Sequence, residues 1–197
     1  WELAGNETFC MIGYHSVPVI VDAYLKGIKG FDTEKAFAAM RKSATREGNL
    51  GLKELDRNGY ISTEDESESV SKTLEYAYDD WCIAQFAKSI GKTDEYKYFD
   101  KRGQNYKNVF DNSTGFMRAR TNGGWFNPFD PFEVNFNYTE ANSWQYSFSA
   151  VQDMNGLIDL HGGKANLSKK LDNLFSASTK TSGRDQSDIS GLIGQYA

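Results

Sequence analysis

The spacing of hydrophobic residues along the chain predicts six helices arranged in three pairs. In each pair, the first helix carries apolar residues on more than one face and the second has a single apolar face. Glycine turns at Gly30, Gly91 and Gly162 separate the two helices of each pair. Asp32 or Thr33 is expected to cap the second helix, because short polar side chains accept hydrogen bonds from the N–H groups of a first turn. The apolar positions of the six helices fall within residues 14–28, 36–44, 70–90, 96–110, 144–158 and 167–175.

Two long segments between the pairs lack this periodicity and are predicted to be loops. Residues 47–67 are polar and contain Asn58-Gly59, a strong turn signal, whereas residues 111–136 combine turn residues with many aromatic side chains. The end of the first loop carries an acidic cluster that could bind calcium. It lacks the glycine and the spacing of an EF-hand, so a solvated acidic loop is the preferred interpretation. The cluster consists of Glu64, Asp65, Glu66 and Glu68.

A helix pair of this kind buries its more apolar helix only when neighbouring pairs close around it. The pattern therefore predicts an all-α fold in which helical hairpins form a solenoid or part of an α/α toroid. In a toroid the buried helices form the inner ring, and the loops between the pairs gather at one rim. Both long loops and Glu140 would then lie at that rim, where a binding pocket is expected.

Composition narrows the classes of function. The 197 residues, 39% of them hydrophobic, suffice for a sizeable core, and no segment predicts a membrane span. A net charge of -5 without a long basic run argues against nucleic acid as a partner. Because the chain begins with Trp1 rather than Met, we interpret it as a piece of a larger protein, and a missing signal peptide carries no information. Cys10 and Cys82 lie among apolar residues and are expected to be buried free thiols.

Glu140 is the strongest candidate for chemistry. It precedes a predicted helix and follows a segment crowded with aromatic rings. Loss of hydration among such rings disfavours the charged carboxylate and raises its pKa towards the range of a general acid. The alternative is an ordinary acidic residue at a helix start. Asn142 and Gln145 have the spacing of a capping box, which would begin the helix just after Glu140 and place a dipole that lowers its pKa.

Aromatic faces suit sugar rings, so several neighbours of Glu140 are candidates for lining a sugar pocket, although aromatic residues on an inner helix are more often part of the core. These candidates are Trp125, Asn142, Trp144 and Tyr146. Asp79-Asp80 resembles a catalytic carboxylate pair, but a buried, hydrogen-bonded role is the better interpretation. His15 and His161 are too few and too far apart in sequence to indicate a metal site.

Several segments of the chain resemble glycoside hydrolase family 92. The segments are LAGNET at 3–8, MIGYHS at 11–16, ESVSKTLEYAYDDW at 68–81, TGFMR at 114–118, NPFDP at 127–131 and SGLIGQY at 190–196. The family contains bacterial exo-acting α-mannosidases with an N-terminal β-sandwich and a C-terminal (α/α)6 barrel. The resemblance implies that residues 1–197 are about half of that barrel, without the sandwich and the remainder of the barrel.

The resemblance also implies roles for individual residues. A Thr-Glu-x-Asn-x-Trp-Gln-Tyr segment supplies the general acid of the family, and Glu140 occupies that position here. The implied reaction is an inverting hydrolysis of terminal α-linked mannose, with an α-1,2 linkage expected and Ca²⁺ on the mannose 2- and 3-hydroxyls. Gln195 becomes a candidate for metal binding, while the base and most calcium ligands would lie beyond Ala197. Val151 and Gln152 depart from the Pro-His of many relatives.

The implied partners are a mannose-containing glycan and the missing domains, and the implied location is the periplasm, the cell surface or the medium of a bacterium. A noncatalytic helical module that binds glycan or protein is the main alternative, since fold does not determine function. A toroidal polysaccharide lyase is a third interpretation, which the absence of a basic rim for uronates disfavours. Alone, a half toroid would expose the apolar flanks of its first and last hairpins.

Overall fold

The computed structural model describes residues 10–46, 48, 50–185, 189 and 191, and helices dominate this part of the chain. Its α-helices are α1 (Ser16–Leu25), α2 (Thr33–Ala44), α3 (Leu52–Asn58), α4 (Ser69–Ser89), α5 (Thr93–Arg102), α6 (Ser143–Tyr146), α7 (Met154–Leu160) and α8 (Lys164–Ser176). A 3₁₀ helix spans Asn105–Val109. The two-residue strands are β1 (Phe110–Asp111), β2 (Phe116–Met117), β3 (Arg120–Thr121), β4 (Gly124–Trp125), β5 (Glu133–Val134) and β6 (Ser182–Gly183). The predicted all-α class is confirmed.

The long helix α4 lies at the centre of the described structure, as its apolar residues on several faces predict. Helices α1, α2 and α5 and the 3₁₀ helix all pack against it. Its N-terminal half, with Val70 and Leu74, belongs to one core cluster, and its C-terminal half, with Ile83 and Phe86, belongs to another. The first predicted pair therefore buries its apolar residues mainly against α4.

Local signals place several helix ends where the sequence predicted them. Asp32 caps α2, because its Oδ1 accepts a hydrogen bond from Lys35 N at 3.0 Å. Gly91 follows α4 with φ +79, a left-handed conformation that a residue without Cβ adopts at little cost. Asn142 and Gln145 form the predicted capping box at the start of α6.

The broad burial predicted for the first helix is wrong for the described structure. Val17 and Val21 of α1 are buried, but Val19 and Leu25 are 70% and 55% exposed. The last helix, α8, likewise exposes Phe175. Large apolar side chains are thus exposed on the first and last helices, in agreement with the flanks expected of a partial toroid.

The fifth predicted helix is not continuous, and this is a second correction. It divides into the single turn α6 and the later helix α7. The Ser147 hydroxyl and Ser147 N both donate to Ser143 O, at 2.6 and 3.0 Å, and such a side-chain bond to the i−4 carbonyl slightly destabilises and often bends a helix. Asp153 then begins a new helix, since its Oδ1 accepts from Gly156 N at 2.8 Å. The fourth predicted helix is also shorter: α5 ends at Arg102 and the 3₁₀ helix follows.

The polar segment 47–67 is not entirely a loop. It contains α3, which is stable because Leu52 and Leu55 pack with Ile61 and Tyr76 in a small core cluster. Segment 111–136 forms two antiparallel hairpins, β1–β2 and β3–β4, and β5 pairs in parallel with β6.

Other expectations concern the cysteines and membranes. Cys82 is buried as predicted, but Cys10 is exposed, because it lies ahead of α1 and outside the core clusters. No helix in the described ranges is long and apolar enough to cross a membrane.

Arg102, at the end of α5, connects four parts of the structure. Its Nε donates to Asp80 of α4 at 2.7 Å and its Nη2 donates to Ala44 O, the last carbonyl of α2, at 3.0 Å. Nη1 donates to Tyr98 Oη at 2.9 Å and to Asp56 of α3 at 3.3 Å. Asp80 has no exposed surface, and burial raises the pKa of its carboxyl to about 6 although Arg102 opposes this shift. Arg102 therefore compensates a carboxylate that water cannot reach.

We predict that Arg102→Met destabilises the complete protein by about 3–5 kcal/mol, because removal of one partner leaves a buried charge unpaired. Urea unfolding followed by tryptophan fluorescence measures the loss. Lys101→Met at the exposed neighbouring position is the matched control and should change stability little. Adding Asp80→Asn to Arg102→Met should restore part of the loss, since it removes the unpaired charge. Equal stability of the two single variants would contradict this role of Arg102.

Candidate active site

The segment that carries Glu140 is attached to the N-terminal end of α4. Glu68 N donates to Phe136 O at 2.6 Å, and Val70 N donates to Asn137 O at 3.1 Å. Thr139 N donates to the Ser71 hydroxyl at 2.9 Å. Three successive contacts thus fix the path of the chain up to the residue before Glu140.

The first long loop reaches the neighbourhood of the second. Thr63 N donates to Arg120 O at 2.9 Å, and Asn122 N donates to Glu64 Oε2 at 2.6 Å. The acidic cluster is largely engaged by the protein itself, since Lys72 lies 3.0 Å from Glu66 as well. Because this loop leads into α4, both long loops meet at the same end of that helix as Glu140.

Glu140 has a left-handed backbone conformation, with φ +48. Few residues other than glycine adopt this region, and such strain is concentrated at functional sites. Glu140 is half-buried and follows the buried Tyr138 and Thr139. The turn therefore holds the carboxylate-bearing residue at a defined and accessible position.

The capping box immediately after Glu140 makes α6 start at Ser143. Asn142 Oδ1 accepts from Gln145 N at 3.3 Å, and Gln145 Oε1 accepts from Asn142 N at 3.0 Å. Asn142 has no exposed surface, and its Nδ2 donates to Phe132 O at 3.3 Å. These contacts show Asn142 organising the turn, and the prediction that it binds sugar stays untested.

Tyr146 lies on the same side as the Glu140 turn. Its ring lies 6.2 Å from the ring of Tyr138, and burial raises the pKa of the Tyr146 hydroxyl to about 12, with the charge of Glu75 adding to the shift. The phenol is consequently neutral at physiological pH and can donate a hydrogen bond. Among the predicted sugar-pocket residues, Tyr146 has the clearest contact with the segment of Glu140.

Trp144 lies in an aromatic cluster below the turn. Its ring is 4.7 Å from the ring of Phe116 in an edge-to-face arrangement and 5.9 Å from that of Phe132. The ammonium of Lys170 lies 4.6 Å from the Trp144 ring centre, and burial lowers the pKa of Lys170 to about 8. Trp144 is 8% exposed, so its described role is packing.

Trp125 belongs to strand β4, on the second hairpin. The guanidinium of Arg120 lies 4.5 Å from its ring and 4.6 Å from the ring of Tyr60. The described contacts of Trp125 thus attach it to the two long loops. Gln195, the predicted metal ligand, lies outside the described residues.

Four buried polar atoms near Glu140 have no hydrogen-bond partner among the described residues. They are Ser69 Oγ, Thr139 Oγ1, Trp144 Nε1 and Gln145 Nε2. An unpaired buried polar group costs roughly 1–3 kcal/mol, so proteins seldom retain one without water, a ligand or further protein to satisfy it. These atoms lie on the Glu140 turn, on α6 and at the start of α4. We therefore expect water, a ligand or further protein to bind at this end of the fold.

The described residues do not by themselves provide a metal site. They contain no group of three His, Cys, Asp or Glu side chains close enough to share an ion. Calcium takes six to eight oxygen ligands, which the half-buried Glu140 and Glu68 could not supply alone.

Two adjoining cavities of about 190 and 280 Å³ lie elsewhere, between α3 and α5. Both are lined by Asp56, Tyr98 and Arg102. Because these three side chains already bond one another, we interpret the cavities as packing crevices rather than as the site.

His15 makes contacts that its sequence context did not predict. Its Nδ1 lies 2.8 Å from Asp79 Oδ1 and its Nε2 lies 3.0 Å from Glu75 Oε2. Hydrogen bonds to Asp79 and then to Glu75 raise the pKa of His15 to about 10. Asp79 and Asp80 are buried and hydrogen-bonded, as predicted. The Gly-Tyr-His run before α1 was the available signal, but its partners lie 60 or more residues away.

The match to a family model and several solved structures identify the family of this chain. Residues 1–197 match the model of the glycosyl hydrolase family 92 catalytic domain. The solved family 92 α-mannosidase of Bacteroides thetaiotaomicron is 46% identical, with a TM-score of 0.84 over 88% of this chain and 24% of that one. In its complex with mannoimidazole, the same type of enzyme is 43% identical, with a TM-score of 0.85 over 90% of this chain and 24% of the other.

Two further relatives extend this comparison. An inverting family 92 mannosidase of Bacteroides thetaiotaomicron VPI-5482 is 36% identical, with a TM-score of 0.83 over 87% of this chain and 24% of that one. A protein of Arthroderma benhamiae named as an uncharacterized secreted glycosidase is 29% identical over 96% of this chain and 30% of its own length. The chain thus spans about a quarter to a third of the length of these relatives.

The ion pairs of His15 predict a pH dependence of stability. Because the pKa of His15 is about 10 in the folded protein and 6.5 in a model peptide, its pairing with Asp79 and Glu75 stabilises fully below pH 6.5. The contribution declines as the pH rises towards 10. The melting temperature of the complete protein should exceed that of His15→Gln clearly at pH 6, and the difference should shrink by pH 10. A difference that does not vary with pH would contradict the charged state of His15.

Proposed function

This chain belongs to glycosyl hydrolase family 92, and on that premise we propose that it contributes the general acid of a mannosidase. The proposed reaction is the hydrolysis of a terminal α-linked mannose from a glycan, with inversion at the anomeric carbon. The α-mannosidases among the relatives support the substrate, and the relative described as inverting supports the stereochemistry. The observation that carries the proposal is the strained, half-buried Glu140 turn attached to the end of α4.

In this mechanism Glu140 donates a proton to the glycosidic oxygen as the bond from that oxygen to the anomeric carbon breaks. The leaving sugar departs as a neutral alcohol. A water molecule attacks the anomeric carbon from the opposite face and gives up a proton to a carboxylate base. We place that base outside residues 1–197, so this chain supplies one half of the acid/base pair.

The other predicted site residues would act around this proton transfer. The neutral Tyr146 hydroxyl is suited to donate to a sugar or to Glu140, because its burial favours the uncharged phenol. Asn142 and Trp144 would support the turn from below through their buried contacts. Trp125 would line the outer part of the pocket, where one face of its ring already contacts Arg120.

The complete protein would close the barrel and complete the site. The structural likeness to family 92 enzymes, which have an (α/α)6 barrel, supports residues 1–197 as part of such a barrel. Exposed apolar residues on α1 and α8, such as Val19 and Phe175, provide surfaces for the remaining helices. A β-sandwich on the N-terminal side and further barrel helices on the C-terminal side would then enclose the unpaired polar atoms near Glu140.

Calcium binding belongs to the same proposal. Gln195 and residues beyond this chain would supply the ligands, because the described residues do not gather a sufficient set. When bound, the ion would orient the mannose 2- and 3-hydroxyls and help to distort the ring toward the transition state. We also propose an α-1,2-linked substrate and a periplasmic, cell-surface or secreted location; the relative named as secreted supports the location, although it is fungal.

Glu140→Gln should lower kcat/KM for a mannobiose by about 10²–10⁴-fold, since Gln keeps the shape of the side chain but cannot donate the proton. The measurement is mannose release by the complete protein. Glu133→Gln, on nearby β5, is the matched control and should retain activity. Undiminished hydrolysis by Glu140→Gln would remove Glu140 from the mechanism. Binding of mannosides without turnover by the unaltered protein would instead favour the noncatalytic module.

Removal of calcium should lower mannoside hydrolysis by the complete protein at least tenfold, because the proposed ion orients the sugar. Dialysis against a calcium chelator, with metal content checked by mass spectrometry, provides the test. Readdition of Ca²⁺ should restore the rate, whereas Mg²⁺, which favours six ligands at shorter distances, should not. Full activity of metal-free protein would contradict the calcium proposal and leave the assignment of Glu140 intact.

A further inference from the structure

A polar stripe on α4 leads inward from the point where the Glu140 segment is attached. Ser71, Glu75 and Asp79 are spaced by four residues and therefore share one face of the helix. Ser71 accepts the hydrogen bond from Thr139 N, and Glu75 lies one turn further on, about 6 Å along the helix axis. The Glu75 side chain is 29% exposed and that of Asp79 is fully buried. Glu75 is thus the accessible carboxylate of this stripe.

Tyr146 packs beside the segment that leads to Glu140. Its ring lies 6.2 Å from the ring of Tyr138, and the negative charge of Glu75 adds to the rise in its pKa that burial causes. Glu75 therefore lies near the start of α4, where the hydrogen bond from Thr139 N to Ser71 attaches the Glu140 segment.

His15 holds the Glu75 carboxylate in place. The imidazole bridges Glu75 Oε2 and Asp79 Oδ1, and Asp79 Oδ2 accepts a second hydrogen bond from Tyr14 N at 2.7 Å. Both ring nitrogens contact carboxylate oxygens, which requires the protonated imidazolium with two N–H donors. Gly13, with φ +84, lies so close to the ring that a Cβ at this position would clash with Nε2. The ring is therefore confined between the chain before α1 and α4.

This arrangement orients one carboxylate oxygen and leaves the other for a ligand. The ion pair that Glu75 forms with His15 uses Oε2, which leaves Oε1 for a further hydrogen bond. An ionised carboxylate is an acceptor of hydrogen bonds and suits the hydroxyl groups of a neutral sugar. The positive charge of His15 offsets one of the two negative charges beside it.

We propose that Glu75 accepts a hydrogen bond from one hydroxyl of the bound sugar, and that His15 and Asp79 are positioning residues that fix its orientation. The proposal rests on the function proposed above, because it takes the sugar to be bound beside Glu140. The alternative role of these three residues is only to fasten the segment before α1 to α4. Both roles predict that substitution lowers stability. Only sugar binding predicts that substitution also lowers activity by a factor that depends on which hydroxyl the substrate carries.

The test compares substrate selectivity in the complete protein. Glu75→Gln and His15→Gln are assayed on an α-mannoside and on monodeoxy analogues that each lack one hydroxyl. Glu95→Gln is the matched control, since Glu95 forms an exposed ion pair with Arg41 away from α4. Glu75→Asp is the second variant. Its side chain is one methylene shorter, so the carboxylate keeps its charge but lies further from the sugar.

The unaltered protein should lose about 10- to 100-fold in kcat/KM on one particular deoxy analogue, the range expected for a hydrogen bond to a charged group. On the parent mannoside, the kcat/KM of Glu75→Gln should fall by a similar factor. Removing that hydroxyl from the substrate should then lower the kcat/KM of Glu75→Gln little further. His15→Gln should show the same pattern with a smaller loss, and Glu95→Gln should match the unaltered protein. Glu75→Asp should resemble Glu75→Gln.

Equal losses for Glu75→Gln on the parent mannoside and on every analogue would overturn the proposal, as would no loss at all. If the unaltered protein hydrolyses no mannoside, the proposed function fails separately. Calorimetric binding of the same analogues then decides the role of Glu75, because a selective loss of affinity for one hydroxyl supports it and uniform affinities contradict it.

Discussion

Two adjacent carboxylates without exposed surface, Asp79 and Asp80, constrain how the rest of the described structure packs around α4. Ionised groups removed from water are costly unless charged or hydrogen-bonding partners compensate them. Burial raises the pKa of both carboxyls, and each is met from a different direction. Asp79 draws in Tyr14 N and His15 from the chain before α1, whereas Asp80 binds Tyr14 Oη at 2.6 Å and Arg102 at the end of α5.

The same helix also sets the position of the candidate site. Its N-terminal end binds the chain from Phe136 to Thr139, and its polar stripe places Glu75 one turn beyond Ser71, to which that chain is bonded. Helix α4, with 21 residues, therefore connects the contacts around Asp79 and Asp80 with the candidate site at its N-terminal end. Loss of a partner of Asp79 would alter the site through His15 and Glu75, whereas loss of a partner of Asp80 would act mainly on stability.

Local patterns were sufficient to predict most helices and the end signals that close them. The capping box of Asn142 and Gln145 and the cap at Asp32 involve residues three apart, so their geometry is fixed by nearby sequence. Helix α3 and the break after α6 were not predicted, because each depends on tertiary contacts or on competing hydroxyl bonds. Leu52 and Leu55 find their partners in Ile61 and Tyr76, and the Ser147 hydroxyl adds a second hydrogen bond to Ser143 O, which tends to bend a helix.

The local aromatic pattern and the family resemblance both indicated Glu140 as the candidate acid. Neither predicted the contacts of Trp125, which depend on how the two long loops pack. The grouping of His15, Glu75 and Asp79 could not be inferred from spacing, since the His15 pairs span 60 and 64 residues. These pairs form only because the segment before α1 packs on α4, and that tertiary contact has no local sequence signal.

The most direct measurement of the central claim, that Glu140 protonates the leaving group, varies that leaving group. The unaltered protein and Glu140→Gln would be compared on a mannobiose and on dinitrophenyl α-mannoside, whose phenolate leaves without protonation. A general acid predicts a large loss of kcat/KM for Glu140→Gln on the mannobiose and a loss of less than about tenfold on the dinitrophenyl substrate. Equal losses on both substrates would contradict this role of Glu140.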